Sequence, residues 1–328
     1  MPSPPNTTTQ DELRTRSIPH MTLSTGDASS MTGPPPPMPH YLTSEGRAIK
    51  RFAVEGNAIF TGGAGTLALV NARALLEHGL SGLALFDLDH SKSSREIEAL
   101  RTDFPNATVL SIRVDVTNAE QLESAVKLTV SELGSVDILC CFAGVVGCTH
   151  AIDMTPAEWK SRLEINTTGS FLSAQAAARK MTNATLRQMI AQNTGGSIVF
   201  LASISAHRTN YPQPQAAYNA SKAALLSLKY SLAAEWAVHG IRVNSISPGY
   251  MDTVLNEGAG LEEARRTWGD RNPMGRMGVP EELTGAVVLL CSGAGGSSWK
   301  YIDMAFYENT IRGFASTPSC RDPKSTVV

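Results

Sequence analysis

Six short apolar runs constrain this chain more than anything else in it. They are residues 57–60 (NAIF), 82–86 (GLALF), 108–114 (TVLSIRV), 136–142 (VDILCCF), 197–203 (SIVFLAS) and 241–247 (IRVNSIS). Near-continuous apolar runs of this length read as strands buried on both faces of a sheet. Helix-prone stretches lie between them, near 66–78, 91–102, 119–133, from 155 through 166, from about 218, within 252–272 and at 281–291. Gly79 stops the first of these, and Thr155-Pro156-Ala157-Glu158 opens another as a capping box with proline at its first position. Strands alternating with helices give βαβ units, so the expected class is α/β, one doubly wound parallel sheet with helices on both faces.

The pattern is continuous from about residue 46 to 306, without a linker, and predicts one domain. Residues 1–45 are proline- and serine-rich and lack apolar periodicity, so they are expected to be a disordered extension. Residues 307–328 are expected to be a loosely packed tail, with 300–306 serving as an edge strand.

Composition narrows the function. A 328-residue chain with 42% hydrophobic and 18% charged residues can bury a sizeable core. A net charge of −2 points to neither nucleic acid nor an anionic membrane. No apolar run reaches the ~20 residues a bilayer demands. The five cysteines (140, 141, 148, 291 and 320) have neither disulfide-framework nor metal-site spacing, so no metal is expected and a reducing, cytoplasmic location is. The expected partner is a small-molecule substrate.

Two constellations carry chemistry. Tyr218 and Lys222 are four apart at the start of a helix and share a face. An ammonium one turn from a phenol favours phenolate, which predicts a lowered tyrosine pKa and a proton-transfer role. Ser203 closes the preceding strand, where open α/β sheets place their ligands. The second is the glycine-rich turn from Thr61 onward, comprising Gly62, Gly63, Gly65, Thr66 and Leu67, between the first strand and first helix. Glycines there let a pyrophosphate approach the backbone and the helix N-terminus. Asp87 ends the second strand, suitably placed to accept from the hydroxyls of an adenosine ribose and to repel a 2′-phosphate, which favours NAD over NADP without excluding the latter.

In order along the chain, Thr61-Gly62-Gly63-Ala64-Gly65, Asp87, Asp115-Val116, Ala143-Gly144, Asn166, Ser203, Tyr218-x-x-x-Lys222, residues 244–249 (NSISPG) and residues 273–281 (PMGRMGVPE) resemble the short-chain dehydrogenase/reductase family, over roughly 50–290. The 203–253 region is most similar to its sorbose-reductase and mannitol-dehydrogenase-like branch and to tailoring enzymes of fungal natural-product pathways. The resemblance implies a Rossmann-like fold and an NAD(P)(H)-dependent oxidoreductase interconverting a secondary alcohol and a ketone. It further implies that Tyr218 is the general acid/base, that Lys222 lowers its pKa and holds the nicotinamide ribose, and that Ser203 bonds the carbonyl. Asn166 would hold a water linking Lys222 to solvent. Asp115, Val116, Ala143, Gly144, Pro248 and Gly249 join the cofactor set. Ser205 competes with Ser203 on spacing; strand phasing favours Ser203.

Three departures stand out. The family pattern T-G-x-x-x-G-x-G has Thr66 and Ala68 at its last two glycines, and the family's N-N-A-G is Cys141-Phe142-Ala143-Gly144 here, which leaves a backbone-support role unfilled. The third is the C-terminus, which lacks the family's D-G-G turn and leaves homo-oligomerisation open. Together they keep a second reading in view, a catalytically weak nucleotide-binding or scaffolding relative. Substrate contacts are expected from 145–155, 204–217 and 250–272, with His207, Asn210, Tyr211, Gln213 and Gln215 as hydroxyl-binding candidates.

Overall fold

The computed structural model describes residues 17–25, 32, 37–181, 195–209, 211–253, 256, 261–296 and 304–305. Seven parallel strands form one sheet: β1 (Asn57–Thr61), β2 (Gly82–Asp87), β3 (Thr108–Arg113), β4 (Ile138–Cys141), β5 (Gly196–Leu201), β6 (Ile241–Ser247) and β7 (Met304–Ala305). Their order is β3-β2-β1-β4-β5-β6-β7. The chain winds outward from β1 to β3, returns beside β1 with β4, and winds out the other way. The strand order therefore reverses between β1 and β4, where Thr61 pairs with Cys141 at the C-terminal ends. That is the crevice in which doubly wound sheets bind ligands.

The helices are α1 (Ser44–Phe52), α2 (Thr66–Glu77), α3 (Ser94–Asp103), α4 (Ala119–Leu133), α5 (Pro156–Leu163), α6 (Gly169–Met181), α7 (Ala216–Trp236), α8 (Glu262–Arg271) and α9 (Thr284–Cys291). Strand side chains alternate between two cores, as a period of two requires. Phe60, Leu85, Cys140 and Val199 join α2, α3 and α9 on one face. Ile59, Phe86, Leu139 and Phe200 join α4, α6 and α7 on the other. β1, β4 and β6 are almost wholly buried, while β3 at the edge is half exposed.

Local signals explain the boundaries. Gly79 follows α2 at φ +103°, Gly134 ends α4 at φ +88°, and Thr155 and Glu158 form the expected reciprocal capping box. The first helix starts at Ser44 on the Thr43 side-chain cap, so the 45/46 boundary read from composition falls inside it. α1 has no buried residue and lies against 293–295. The expected edge strand is present at Met304–Ala305, paired with Ile246–Ser247; the rest of 300–306 and all of 307–328 lie outside the described residues. Among the described residues no helix is long and apolar enough to cross a membrane.

Candidate active site

The glycine turn is built by close approach. Gly62 has φ +64°, and a Cβ on it would come within 2.7 Å of the Ala143 backbone nitrogen. One on Gly63 would come within 2.8 Å of Leu85 Cα. These glycines let the turn after β1 nest against the ends of β4 and β2. Gly65 then leads into α2, whose N-terminus has no side-chain cap and no carboxylate in its first turn. Thr66 is the first helical residue, and Leu67 packs on the core. Exposed N–H groups and the positive end of the helix dipole there suit a pyrophosphate.

Asp87 closes the turn from the other side. Its Oδ2 accepts from Ala64 N at 3.0 Å and its Oδ1 from Asp89 N at 3.2 Å. The carboxylate is thus oriented by backbone donors while keeping acceptor capacity for ribose hydroxyls. Asp115 Oδ1 accepts from both the N–H and the hydroxyl of Thr117, at 2.9 and 2.7 Å. Val116 packs so closely on Gly169 that a Cβ there would meet its Cγ2 at 2.8 Å.

Ser203, Tyr218 and Lys222 come together at the ends of β4, β5 and β6. Ser203 lies two residues beyond β5. Its Oγ donates to Ser205 Oγ at 2.9 Å and accepts from Ser205 N at 3.1 Å. Ile204 N donates to Pro248 O at 3.0 Å, which ties this turn to the Pro248-Gly249 turn after β6. The Ser203 hydroxyl neighbours the Tyr218 phenol and favours its ionised form. Lys222 is buried, donates from Nζ to Leu201 O at 2.7 Å, and has Nζ 5.8 Å from the Tyr218 ring centroid.

The expected lowering of the Tyr218 pKa is reversed here. Burial raises the phenol, and the Ser203 hydroxyl opposes that only in part. The same burial lowers Lys222 to about 8, partly offset by the Cys141 thiol. Low-dielectric surroundings disfavour both charged forms, and a 5.8 Å separation does not overcome that cost.

Asn166 sits in a five-residue π-helical segment, Glu164–Thr168, between α5 and α6. Such segments recur at functional sites. Its Oδ1 accepts from Val145 N at 2.8 Å; its Nδ2 donates to Val145 O at 2.9 Å and to Ser221 Oγ at 2.9 Å. A Cβ on Gly144 would lie 3.3 Å from Asn166 Oδ1 and 3.4 Å from Lys222 Nζ, so both groups border that glycine. The backbone support that Cys141 and Phe142 do not give comes from elsewhere: Asn166 braces Val145, and Thr61 Oγ1 accepts from Ala143 N at 3.3 Å. Phe142 instead packs edge-on to Phe60, with centroids 5.4 Å apart.

Sequence reasoning missed Ser221, Thr61 and the Leu201 carbonyl as supports. Ser221 had a signal, being a small polar residue between Tyr218 and Lys222 on a buried helix face; a backbone carbonyl leaves none. Of the hydroxyl-binding candidates, His207 Nε2 pairs with Ser247 Oγ at 2.9 Å and Gln213 Oε1 accepts from Tyr250 OH at 3.1 Å. Tyr211 is exposed, with the Arg271 guanidinium 5.3 Å from its ring centroid, the Gln215 carbonyl accepts from Asn219 N, and Asn210 lies outside the described residues.

Known proteins match this arrangement. The family model described as Enoyl-(Acyl carrier protein) reductase covers residues 62–297. The chain is 34% identical over 263 residues to a ribulose-forming D-arabinitol 2-dehydrogenase of Scheffersomyces stipitis, covering 76% of this chain and 91% of that one. It is 30% identical over 260 residues to an NADP-dependent mannitol dehydrogenase of Hypocrea jecorina, covering 78% and 93%. A solved short-chain type dehydrogenase/reductase from Mycobacterium marinum superposes with a TM-score of 0.68 at 36% identity, covering 76% of this chain and 93% of that one. With the strand reversal, the glycine turn and the serine–tyrosine–lysine group in one crevice, this chain belongs to the short-chain dehydrogenase/reductase family and is an NAD(P)-dependent oxidoreductase that interconverts an alcohol and a carbonyl.

Proposed function

We propose that Tyr218 delivers the proton to, or removes it from, the oxygen of a secondary alcohol–ketone pair. One observation carries the assignment: the buried Lys222 Nζ lies 5.8 Å from the Tyr218 ring centroid, one helical turn on, with the Ser203 hydroxyl favouring ionisation of the phenol. NAD(P)(H), when bound, supplies or accepts the hydride at the carbon. Ser203 holds the oxygen by a hydrogen bond. Tyr218 Oη passes its proton to that oxygen as the carbonyl is reduced and takes it back in the reverse direction. Lys222 is cationic at neutral pH and offsets charge developing on the phenol. Asn166 fixes the 143–145 turn that borders Lys222.

Gly62, Gly63, Gly65, Thr66 and Leu67 form the pyrophosphate cradle in this reading. Asp115, Val116, Ala143, Gly144, Pro248 and Gly249 frame the rest. The preferred cofactor is NAD. A carboxylate held rigidly at the ribose position repels a 2′-phosphate, although one relative named above is NADP-dependent. The catalytic unit runs from the start of α1 to β7, and its setting is the cytoplasm. Titrating NADH and NADPH by fluorescence, followed by turnover of a ketone panel, tests the proposal. Failure to bind either nucleotide would refute it.

A further inference from the structure

Beside Ser203 lies a cleft of about 220 Å³, walled by the turn at Ile204, the turn at Gly249–Met251, Trp268 of α8 and segment 272–282. Its apolar wall is Ile204, Tyr250, Met251, Trp268, Pro273 and Met274. Tyr250 and Trp268 stack face to face, with centroids 4.4 Å apart and rings 6° from parallel, so aromatic carbon is concentrated on this side of the cleft. Most polar side chains of the wall are already engaged with the protein, and the unpaired donor, Trp268 Nε1, is buried. Arg276 donates to both oxygens of Glu282, at 2.8 and 2.7 Å. Asn272 accepts from Met274 N at 3.0 Å and donates to Arg276 O at 2.7 Å. The Tyr250 hydroxyl donates to Gln213 at 3.1 Å.

A ketose or polyol brings a hydroxyl on nearly every carbon. Each one buried here loses water and needs a protein partner, and a site without such partners rejects it. A thioether and aromatic wall instead gains by covering carbon surface. Resting on the oxidoreductase reading above, we propose that this cleft takes the non-reacting part of the substrate and that this part is an apolar ring system, not the hydroxylated chain of a sugar alcohol. The inference separates this chain from the arabinitol and mannitol dehydrogenases to which it is similar.

The test compares two ketone sets on the full-length protein with either nucleotide: 1-indanone and 2-tetralone against D-fructose, L-sorbose and D-ribulose. The better apolar ketone should exceed the best ketose in kcat/KM by about tenfold or more. Met274 is 74% exposed, so Met274→Glu should fold normally. It should cut apolar turnover about tenfold and leave nucleotide affinity unchanged, while Met274→Leu retains both. Calorimetric titration with 1-indanol and D-arabinitol gives a readout without turnover. Binding of 1-indanol, weakened by Met274→Glu, upholds the cleft assignment even if no ketone turns over, in which case the oxidoreductase reading fails alone. Equal or better turnover of a ketose, or no 1-indanol binding, overturns the inference.

Discussion

Asn166 grips Val145 at both ends of its backbone, accepting from the N–H at 2.8 Å and donating to the carbonyl at 2.9 Å. One side chain thereby fixes the turn after β4 that borders Lys222. Asn166→Ala should lower kcat by about tenfold or more and quicken hydrogen exchange at 143–146. Slowed turnover with unchanged exchange would remove Asn166 from this bracing role.

Tyr218→Phe deletes one hydroxyl from a packed ring. Turnover should fall by about 10² or more, with nucleotide affinity nearly intact. A variant that keeps most of its turnover would end the assignment of Tyr218 as the proton carrier.

The two serines make different contacts. Ser203 neighbours the Tyr218 phenol and favours its ionised form, whereas Ser205 stands behind Ser203. Ser203→Ala should approach the Tyr218→Phe loss, and Ser205→Ala should cost less than about tenfold. The reverse order in steady-state kinetics would transfer the role to Ser205.

Asp87 both repels and braces, and two substitutions separate these effects. Asp87→Asn keeps an acceptor for Ala64 N but removes the charge; Asp87→Ser removes the charge and draws the acceptor oxygen one bond back from Ala64 N. Each should move the NADP/NAD ratio of kcat/KM upward, by about tenfold, and only Asp87→Ser should also weaken NAD binding through a loosened turn. A wild type that already prefers NADP contradicts the cofactor proposal.

Lys222 ties pH to stability. Burial lowers its ammonium to about 8 from 10.5, so the folded chain releases this proton before the unfolded chain does. Between those values the unfolded state binds more protons, and stability rises with pH. Below about 8 the folded state bears the full cost of a buried charge; above 10.5 neither state carries it. Between about pH 7 and about pH 10.5 the unfolding free energy from urea titration should therefore shift in favour of the wild type relative to Lys222→Met, by on the order of 3 kcal/mol. Parallel pH profiles for the two proteins would show that Lys222 does not titrate this way.

The sheet was legible because most strands are near-continuous apolar runs and some helices carry a local start or stop signal, as with Thr155–Glu158 and Gly79. The order of Ser203, Tyr218 and Lys222 was legible because a strand end and a four-residue helical spacing are periodic facts. What the sequence hid was non-local. The direction of the Tyr218 shift depends on how much protein surrounds the phenol, and no spacing rule encodes that. The π segment has no residue signature, and the support for Ala143 and Val145 comes from Thr61 and Asn166, 82 and 21 residues away. Trp268 falls in the 250–272 stretch expected to supply substrate contacts, but nothing in its spacing foretold that it stacks on Tyr250.

The five-residue segment Glu164–Thr168 sets local regularity against geometry. Removing one residue there would let α5 and α6 merge into a single regular helix, a gain for the backbone considered alone. It would also turn one flank by about 100° relative to the other. Asn166 could then no longer face Val145 and Ser221 while α6 keeps Gly169 against Val116. Length in this stretch is therefore under stricter constraint than identity: substitutions at solvent-facing Glu164 are tolerable, but a single-codon deletion is not.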